Sequence, residues 1–457
     1  MKLSFHGGVR GVTGSCFLIE LSVGKLLVDC GMFQGERMVA QENLESLGFD
    51  PAHIDAGIIT HAHYDHTGRY PLIVKHGFRG PIYTTPPTKA LASIVLEDAQ
   101  HVMAENAHKS GDEVLFSPDD VEQMESQMKT VNYHTRFEVL PGVYTMLHDA
   151  GHILGSAYVT VDVPESETKS GKPMRLLFSG DIGNEDVPIL PETDPIDHAD
   201  LVVCESTYGN RDHEPVPERN RELVKMVSMV INRGGTLLIP AFSIERTQEL
   251  LYELDQLVDQ GILPKVPVYL DSPLAIKATA IYRHFKHYLR FDRPVQSSPD
   301  HDFFTFPRLT ETLSVDASKQ INDDKSPKII IAGSGMMTGG RIMHHLKRYL
   351  SDEKNGLLII GYQAEGTLGR RIKEGAASVN IYRDEIAVRA TVKAIGSFSA
   401  HGDRNKLRAW LQPKNGSIQK IFLVHGDEEV KPEFKAFLEE KLESEIIIPQ
   451  YWQSFDL

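Results

Sequence analysis

Residues 59–68 read ITHAHYDHTG and place His61, His63, Asp65 and His66 within six positions, directly behind the apolar run AGII. In an extended segment, residues two apart project to one side. His61 and His63 can therefore converge on one point. Asp65 and His66 fall past the strand end, where the chain turns, and can face a second point. Imidazole nitrogen with carboxylate oxygen is a usual ligand set for zinc. A surface histidine cluster of no consequence is the plain alternative, and the placement right behind an apolar strand argues against it.

Other polar residues share that placement. His152 in HDAGHILGSA, Asp181 in LLFSGDIG, His401 in FSAHGD and His425 in IFLVHGD each follow a strand-like run, as do Asp29 in LLVDCG and Glu205 in LVVCES. Any one of them is also what a cap or turn requires. Together they gather on one edge of a sheet, where sites are commonly built.

The elements that must position these residues alternate in texture. Short β-rich runs separated by glycines occupy the early chain, and a helical pattern covers about 86–108. The polar segment PESETKSGKP (164–173) reads as a hairpin loop. From about 208, helical stretches near 217–232, 244–259, 274–289 and 341–350 alternate with the buried-strand runs TLLIPAF, VPVYLD, KIIIAG and GLLIIGY. That alternation predicts a parallel, doubly wound α/β module. From about 379 β-rich runs return in RATVKAIGSF and KIFLVHG. The expected organisation is a first domain in two parts, 1–207 and 386–457, interrupted by an inserted α/β domain over 208–385.

The chain has 457 residues, 41% of them hydrophobic and 24% charged, an ordinary globular balance and enough for two or three domains. Cys16, Cys30 and Cys204 are scattered and odd in number, which disfavours a disulfide framework or a thiolate metal site. The start MKLSFHGG has no apolar leader, and no run approaches the ~20 residues needed to cross a bilayer. A cytoplasmic protein without a membrane partner is expected. The net charge of −15 argues against non-specific nucleic-acid binding, yet it leaves room for a local basic cleft. From 325 to 373 nine Lys or Arg face three Asp or Glu, a local net charge of +6. In that stretch the Gly-rich turn GSGMMTGGR opens a helix, where free N–H groups suit a phosphate. Thr338 breaks the G-x-G-x-x-G pattern, so dinucleotide binding is not expected. Arg341, Arg370 and Arg371 are the phosphate candidates, with Ser334 and His344 or His345 behind them; a solvated helix face would carry the same charges.

The ordered set resembles the metallo-β-lactamase superfamily and, within it, the β-CASP nucleases. The nearest likeness is the RNA-cleaving branch that includes the pre-mRNA 3′-end cleavage subunit and its bacterial and archaeal relatives. Asp29 stands at the first family motif, His61-x-His63-x-Asp65-His66 at the second, His152 at the third and Asp181 at the fourth. Glu205 in ESTYG, His401 in SFSAHGD and His425 in LVHGD fit the motifs called A, B and C. PAFSIERTQELL, DSPLA, GSGMMTGGR and GYQAEGTLGR are similar to the inserted domain of this group. Two departures stand out: Asp427 follows His425-Gly426 where Glu is common, and Glu245 sits where relatives carry a small residue. No separate RNA-binding domain is expected ahead of residue 1, unlike in some archaeal relatives.

The resemblance implies an αββα sandwich with an inserted β-CASP domain. It implies a zinc-dependent ribonuclease with two Zn2+ per chain, Mn2+ or Fe being possible. One ion would take His61, His63 and His152, the other Asp65, His66 and His425, with Asp181 between them. Two cations lower the pKa of a shared water. RNA would then be cut endo- or 5′-exonucleolytically to leave 5′-phosphate and 3′-hydroxyl ends. His401, oriented by Glu205, would protonate the leaving oxygen, and Asp29 would orient a ligand or the His61–His66 loop. Glu205 and His401 could instead form only a structural pair. A DNA nuclease, a small-molecule ester or thioester hydrolase on the same zinc site, and an inactive RNA-binding scaffold are the competing readings. A homodimer is open.

Overall fold

The computed structural model describes residues 1–35, 42–111, 113–213, 216–290, 302–364, 366–395 and 399–457. Residues 397 and 398 of the SFSAHGD motif and residue 365 of the GYQAEGTLGR stretch lie outside that set. The chain forms two compact units. The first comprises 1–185, 190–212 and 401–457, the second 186–189 and 213–400.

The first unit is built on two seven-stranded sheets. One runs, in spatial order, Ser454–Asp456, Lys2–Gly7, Cys16–Leu21, Gly24–Cys30, Ala56–Ile58, Ile82–Thr84 and Met128–Thr130. The other runs Glu445–Ile447, Lys420–Val424, Leu201–Glu205, Met174–Phe178, Ala157–Val163, Val143–Asp149 and Phe137–Leu140. Successive strand residues point to opposite faces, and the second sheet uses both. Leu176, Phe178, Val203, Phe422 and Val424 meet Phe5, Ile19 and Val28 of the first sheet in one core. The alternate residues Leu177, Val202, Ile421 and Leu423 pack under Leu407 and Trp410 of helix Arg404–Trp410 and Phe434 and Leu438 of helix Val430–Glu439. On the first sheet's side lie the helices Tyr70–Lys75, Pro86–Ser110 and Pro118–Gln127. Ser117 caps the last of these in a reciprocal capping box with Asp120. The layering is the expected αββα sandwich.

The second unit holds a six-stranded, wholly parallel sheet in the order Leu309–Glu311, Val268–Asp271, Lys328–Ala332, Thr236–Pro240, Gly356–Ile359 and Thr391–Ala394. Parallel sheets are covered on both faces and their strands read as continuous apolar runs. KIIIA and TLLIP, buried at every position, fit that rule. The helix expected over 274–289 ends at His284, and a separate 3-10 turn, Lys286–Tyr288, follows it. The strand Thr391–Ala394 pairs with Gly356–Ile359 and so belongs to the second unit. Strand texture alone does not say which sheet a strand joins, which is why the sequence groups RATVKAIGSF with the first domain.

Candidate metal centre

Strand ends of both sheets of the first unit deliver the site. Ile58 ends a strand two residues before Thr60 and three before His61. Phe178 ends another three residues before Asp181, and Val424 another directly before His425. His152 follows the turn after Asp149. His61, His66, His152, Asp181 and His425 are all buried.

Four donor atoms converge in one group. His61 Nε2 lies 3.1 Å from His63 Nδ1, and His63 Nδ1 lies 3.2 Å from His152 Nε2. Asp181 Oδ2 stands 3.4 Å from His61 Nε2 and 3.5 Å from His152 Nε2. A second group joins Asp65, His66 and His425. Here Asp181 Oδ1 stands 3.3 Å from His66 Nε2 and 3.6 Å from His425 Nε2, which is 3.8 Å from Asp65 Oδ2. Asp181 thus turns one oxygen to each group.

The outer ring nitrogens fix which inner nitrogen carries a lone pair. Asp29 accepts three hydrogen bonds, all at 2.8 Å, from Thr60 N, Thr60 Oγ1 and His66 Nδ1. A carboxylate only accepts, so His66 carries its proton at Nδ1, and in the neutral ring Nε2 is the lone pair; Asp181 and Asp29 raise the pKa of this imidazole against its burial, and a cation in the group would displace the second proton. Thr60 gives its hydroxyl proton to Asp29, so its oxygen accepts from His61 Nδ1, 3.1 Å away. His61 Nε2 is then a lone pair too. Ser15 Oγ holds His425 Nδ1 at 3.0 Å.

This arrangement fits divalent cations. Tetrahedral bonds of about 2.0–2.1 Å set donors about 3.3 Å apart, which is the spacing within the first group. His66 Nε2 and Asp181 Oδ1 are buried without a hydrogen-bond partner in the protein. Converging lone pairs and a buried carboxylate are costly unless a cation sits among them.

Beside this centre Glu205, fully buried, holds His401 Nδ1 at 3.2 Å from each of its oxygens. Ile182 N donates to Glu205 Oε1 at 2.6 Å, and Ser179 Oγ holds the Glu205 backbone N–H at 2.9 Å. Burial works to lower the His401 pKa, but the Glu205 and Asp181 carboxylates outweigh it and hold it above its ordinary value. The imidazole keeps 17% of its side-chain surface exposed and lies 3.9 Å from Asp181.

The substrate candidates lie in the second unit and are differently employed. Arg341 donates to Asp271 Oδ1, Thr312 O and Leu313 O, each at 2.7 Å. His345 Nε2 meets the other Asp271 oxygen at 2.7 Å, and His344 Nε2 lies 3.2 Å from Tyr382 Oη. Arg370 Nε donates to Glu374 at 2.5 Å, whereas Arg371 is exposed. Ser334 Oγ accepts from Thr338 N at 3.0 Å.

Several residues that build the centre escape sequence reading. Thr60 and Ser15 are common polar types with no pattern of their own; only adjacency to the motif hints at Thr60. Gly31 lets the His61–His66 loop lie against it, since a Cβ there would stand 1.5 Å from Asp65 O. Lys431, buried, ties Val9 O and Gly426 O at 2.6 and 2.7 Å and so anchors the turn that carries His425.

Fold and site define a metal-dependent hydrolase of metallo-β-lactamase type. Family models match in chain order: the metallo-beta-lactamase superfamily over 9–132, the Beta-Casp domain over 247–372 and the Zn-dependent metallo-hydrolase RNA specificity domain over 385–449. The chain is 38% identical over 429 residues to ribonuclease TTHA0252 of Thermus thermophilus, covering 94% of each chain. It is 33% identical to an RNase J-like protein of Methanocaldococcus jannaschii, covering 93% of this chain and 92% of that one. A transcription termination factor FttA of the same archaeon is 34% identical, and the match takes in 94% of this chain and 67% of that one. A solved structure from Enterococcus faecalis V583, of unknown function, shares the fold at a TM-score of 0.56 and 14% identity, covering 100% and 99% of the two chains. The chain belongs to the β-CASP branch of the metallo-β-lactamase superfamily.

Proposed function

We propose that this protein is a zinc-dependent ribonuclease that holds two ions per chain and leaves 5′-phosphate and 3′-hydroxyl ends. The observation that carries the reading is the division of Asp181, whose two oxygens face two separate groups of imidazoles. His61, His63 and His152 would hold one ion and Asp65, His66 and His425 the other, with Asp181 common to both. The donor set, imidazole with carboxylate, favours zinc over harder cations. Its relatives named as ribonucleases, and the RNA specificity domain it matches, support RNA as substrate.

Bound cations supply a water of lowered pKa and neutralise charge on the phosphodiester. The protein does the rest. Asp29, Thr60 and Ser15 hold three imidazoles in the tautomers or orientations a cation requires. Glu205 accepts from His401 Nδ1 and leaves Nε2 to hand a proton to the departing 3′ oxygen. In the second unit Arg371, exposed, is better placed to grip phosphate than Arg341, whose guanidinium is spent on Asp271 and two carbonyls. Ser334 and Arg370 would assist.

The test is cleavage of 5′- and 3′-labelled RNA beside DNA of the same sequence, with metal content measured on the same sample. Chelation should abolish RNA cleavage and zinc should restore it. Products ending in 3′-phosphate, or cleavage indifferent to chelators, would refute the reading. Equal cleavage of DNA would move the protein to the DNA-cutting alternative.

A further inference from the structure

A second cluster of ligating side chains lies in the first unit and shares no residue with the Asp181 centre. His134, His148 and Asp194 each bring one donor atom within 4.8 Å of the other two. We propose that these three residues form a further site for a borderline divalent cation: zinc, or cobalt or nickel in its place.

Each ligand is held by bonds that owe nothing to an ion. Asp194 N donates to Asp149 O at 2.9 Å, and Asp194 O accepts from Trp410 Nε1 at 3.0 Å. Its Oδ2 accepts from Asp149 N at 2.9 Å. His134 N donates to Leu147 O at 2.9 Å. The His148 ring lies stacked on Tyr158, 4.5 Å between centroids and 5° from parallel. Such fixing from outside is what lowers the cost of ordering a metal site.

The ligand chemistry fits. His134 Nε2 lies 2.6 Å from Asp194 Oδ2, and the two imidazoles are 5.8 Å apart between centroids. A plain His134–Asp194 ion pair would account for the first contact, and the His148 imidazole adds a third donor atom within 4.8 Å of both. Burial pushes His148 down to about 4, so near neutral pH the ring is uncharged and one of its nitrogens is a lone pair. Thr160 Oγ1 stands 3.2 Å from its Nε2. With Nε2–H given to that hydroxyl, Nδ1 is the free lone pair. The His134 side chain is 61% exposed, so it can swing the roughly 0.7 Å needed to open the 2.6 Å contact to the ~3.3 Å that tetrahedral zinc requires. Three protein ligands leave one position for water. The site also touches the end of strand Val143–Asp149, from which the turn to His152 departs. An ion there would stiffen that turn.

The experiment counts metal in the full chain. Wild type, His134→Ala, Asp194→Asn and His152→Ala are equilibrated across a series of buffered free-zinc concentrations, and zinc per chain is measured by mass spectrometry. Thermal melts check that each variant is folded. Wild type should bind one zinc more than His134→Ala and Asp194→Asn, and that ion should be the first lost as free zinc falls. Zinc should also shift the His134 ring resonances in wild type. Superimposable binding curves for wild type and folded His134→Ala, with no zinc effect on those resonances, would overturn the proposal. His152→Ala separates the two readings. If it loses no zinc while His134→Ala loses one, the Asp181 centre fails and this site stands.

Discussion

Asp29→Asn tests the reasoning about tautomers most directly. The wild-type carboxylate is fully buried and accepts three hydrogen bonds of 2.8 Å. Oδ1 serves Thr60 N, and Oδ2 serves both Thr60 Oγ1 and His66 Nδ1. An amide has one acceptor end. If its oxygen stays on Thr60 N, its NH2 faces His66 Nδ1, which must shed its proton and move it to Nε2. That proton then points into the Asp65–His66–His425 group, where a cation needs a lone pair. If the amide flips, NH2 meets the Thr60 N–H, and an unsatisfied buried donor pair costs about 1–3 kcal/mol. The first arrangement leaves no two donors facing each other and is the one expected, and its loss falls on the group that contains His66. The affinity of that one ion should fall about 10–100-fold, as for other outer partners of metal-bound histidines. The ion proposed at His61, His63 and His152 should be weakened less, because Thr60 can still accept from His61 Nδ1 once its own hydroxyl turns to another acceptor. Zinc per chain against buffered free zinc, beside RNA cleavage rate, reads both effects. A variant with two ions of unchanged affinity and wild-type activity would refute the argument. So would equal weakening of both ions.

Three further outcomes are expected. His401→Ala should lower the cleavage rate about 10²–10⁴-fold with zinc content unchanged, read by single-turnover assays beside metal analysis; loss of zinc in the same variant would reassign His401 to structure. Gly31→Ala would place a Cβ 1.5 Å from Asp65 O and 2.6 Å from His66 N, both backbone atoms, so the loop must move by more than 1 Å; a misplacement of that size costs about 10²-fold in rate, and near-normal activity would show the loop to be freer than described. Glu245 is buried, with Oε2 accepting from Tyr282 Oη at 2.6 Å and Oε1 without a hydrogen bond, 3.9 Å from Arg246 Nη2, and burial pushes its pKa up to about 7. The folded state then holds a proton that the unfolded chain releases near pH 4.5. Stability from this group is full below about 4.5 and falls as pH rises to about 7, a change of about 3 kcal/mol. Glu245→Gln should flatten the denaturation midpoint between pH 5 and 7, and an unchanged slope would exclude this residue as its source.

Legibility differed from residue to residue for physical reasons. The His61–His66 motif is local, so its pattern carries its own meaning. The strand endings before Asp181 and His425 could be read because apolar runs are visible and ends of strands collect at sheet edges. Ser15 and Thr60 could not, since a hydroxyl gains its role only from the imidazole beside it, and Ser15 finds His425 across 410 residues. Arg341 reads as a free cation on a basic stretch, but Asp271, 70 residues away, claims it. Likewise His134, His148 and Asp194 are ordinary polar residues in sequence, and only the folding of 131–149 against 190–200 brings them together. Glu245 attracted notice as a departure, yet its burial and its φ of +67° could not be foreseen.

The strand Ser454–Asp456 closes on Lys2–Gly7, and His425 N reaches back to Gly8 O at 2.5 Å. During synthesis the opening hairpins can pack at once against the strands of 137–205, but the edge partner Ser454–Asp456 is missing while some 200 residues of the second unit are made. That unit carries its own parallel core and can settle meanwhile. The Asp65–His66–His425 group has no complete donor set until residue 425 leaves the ribosome.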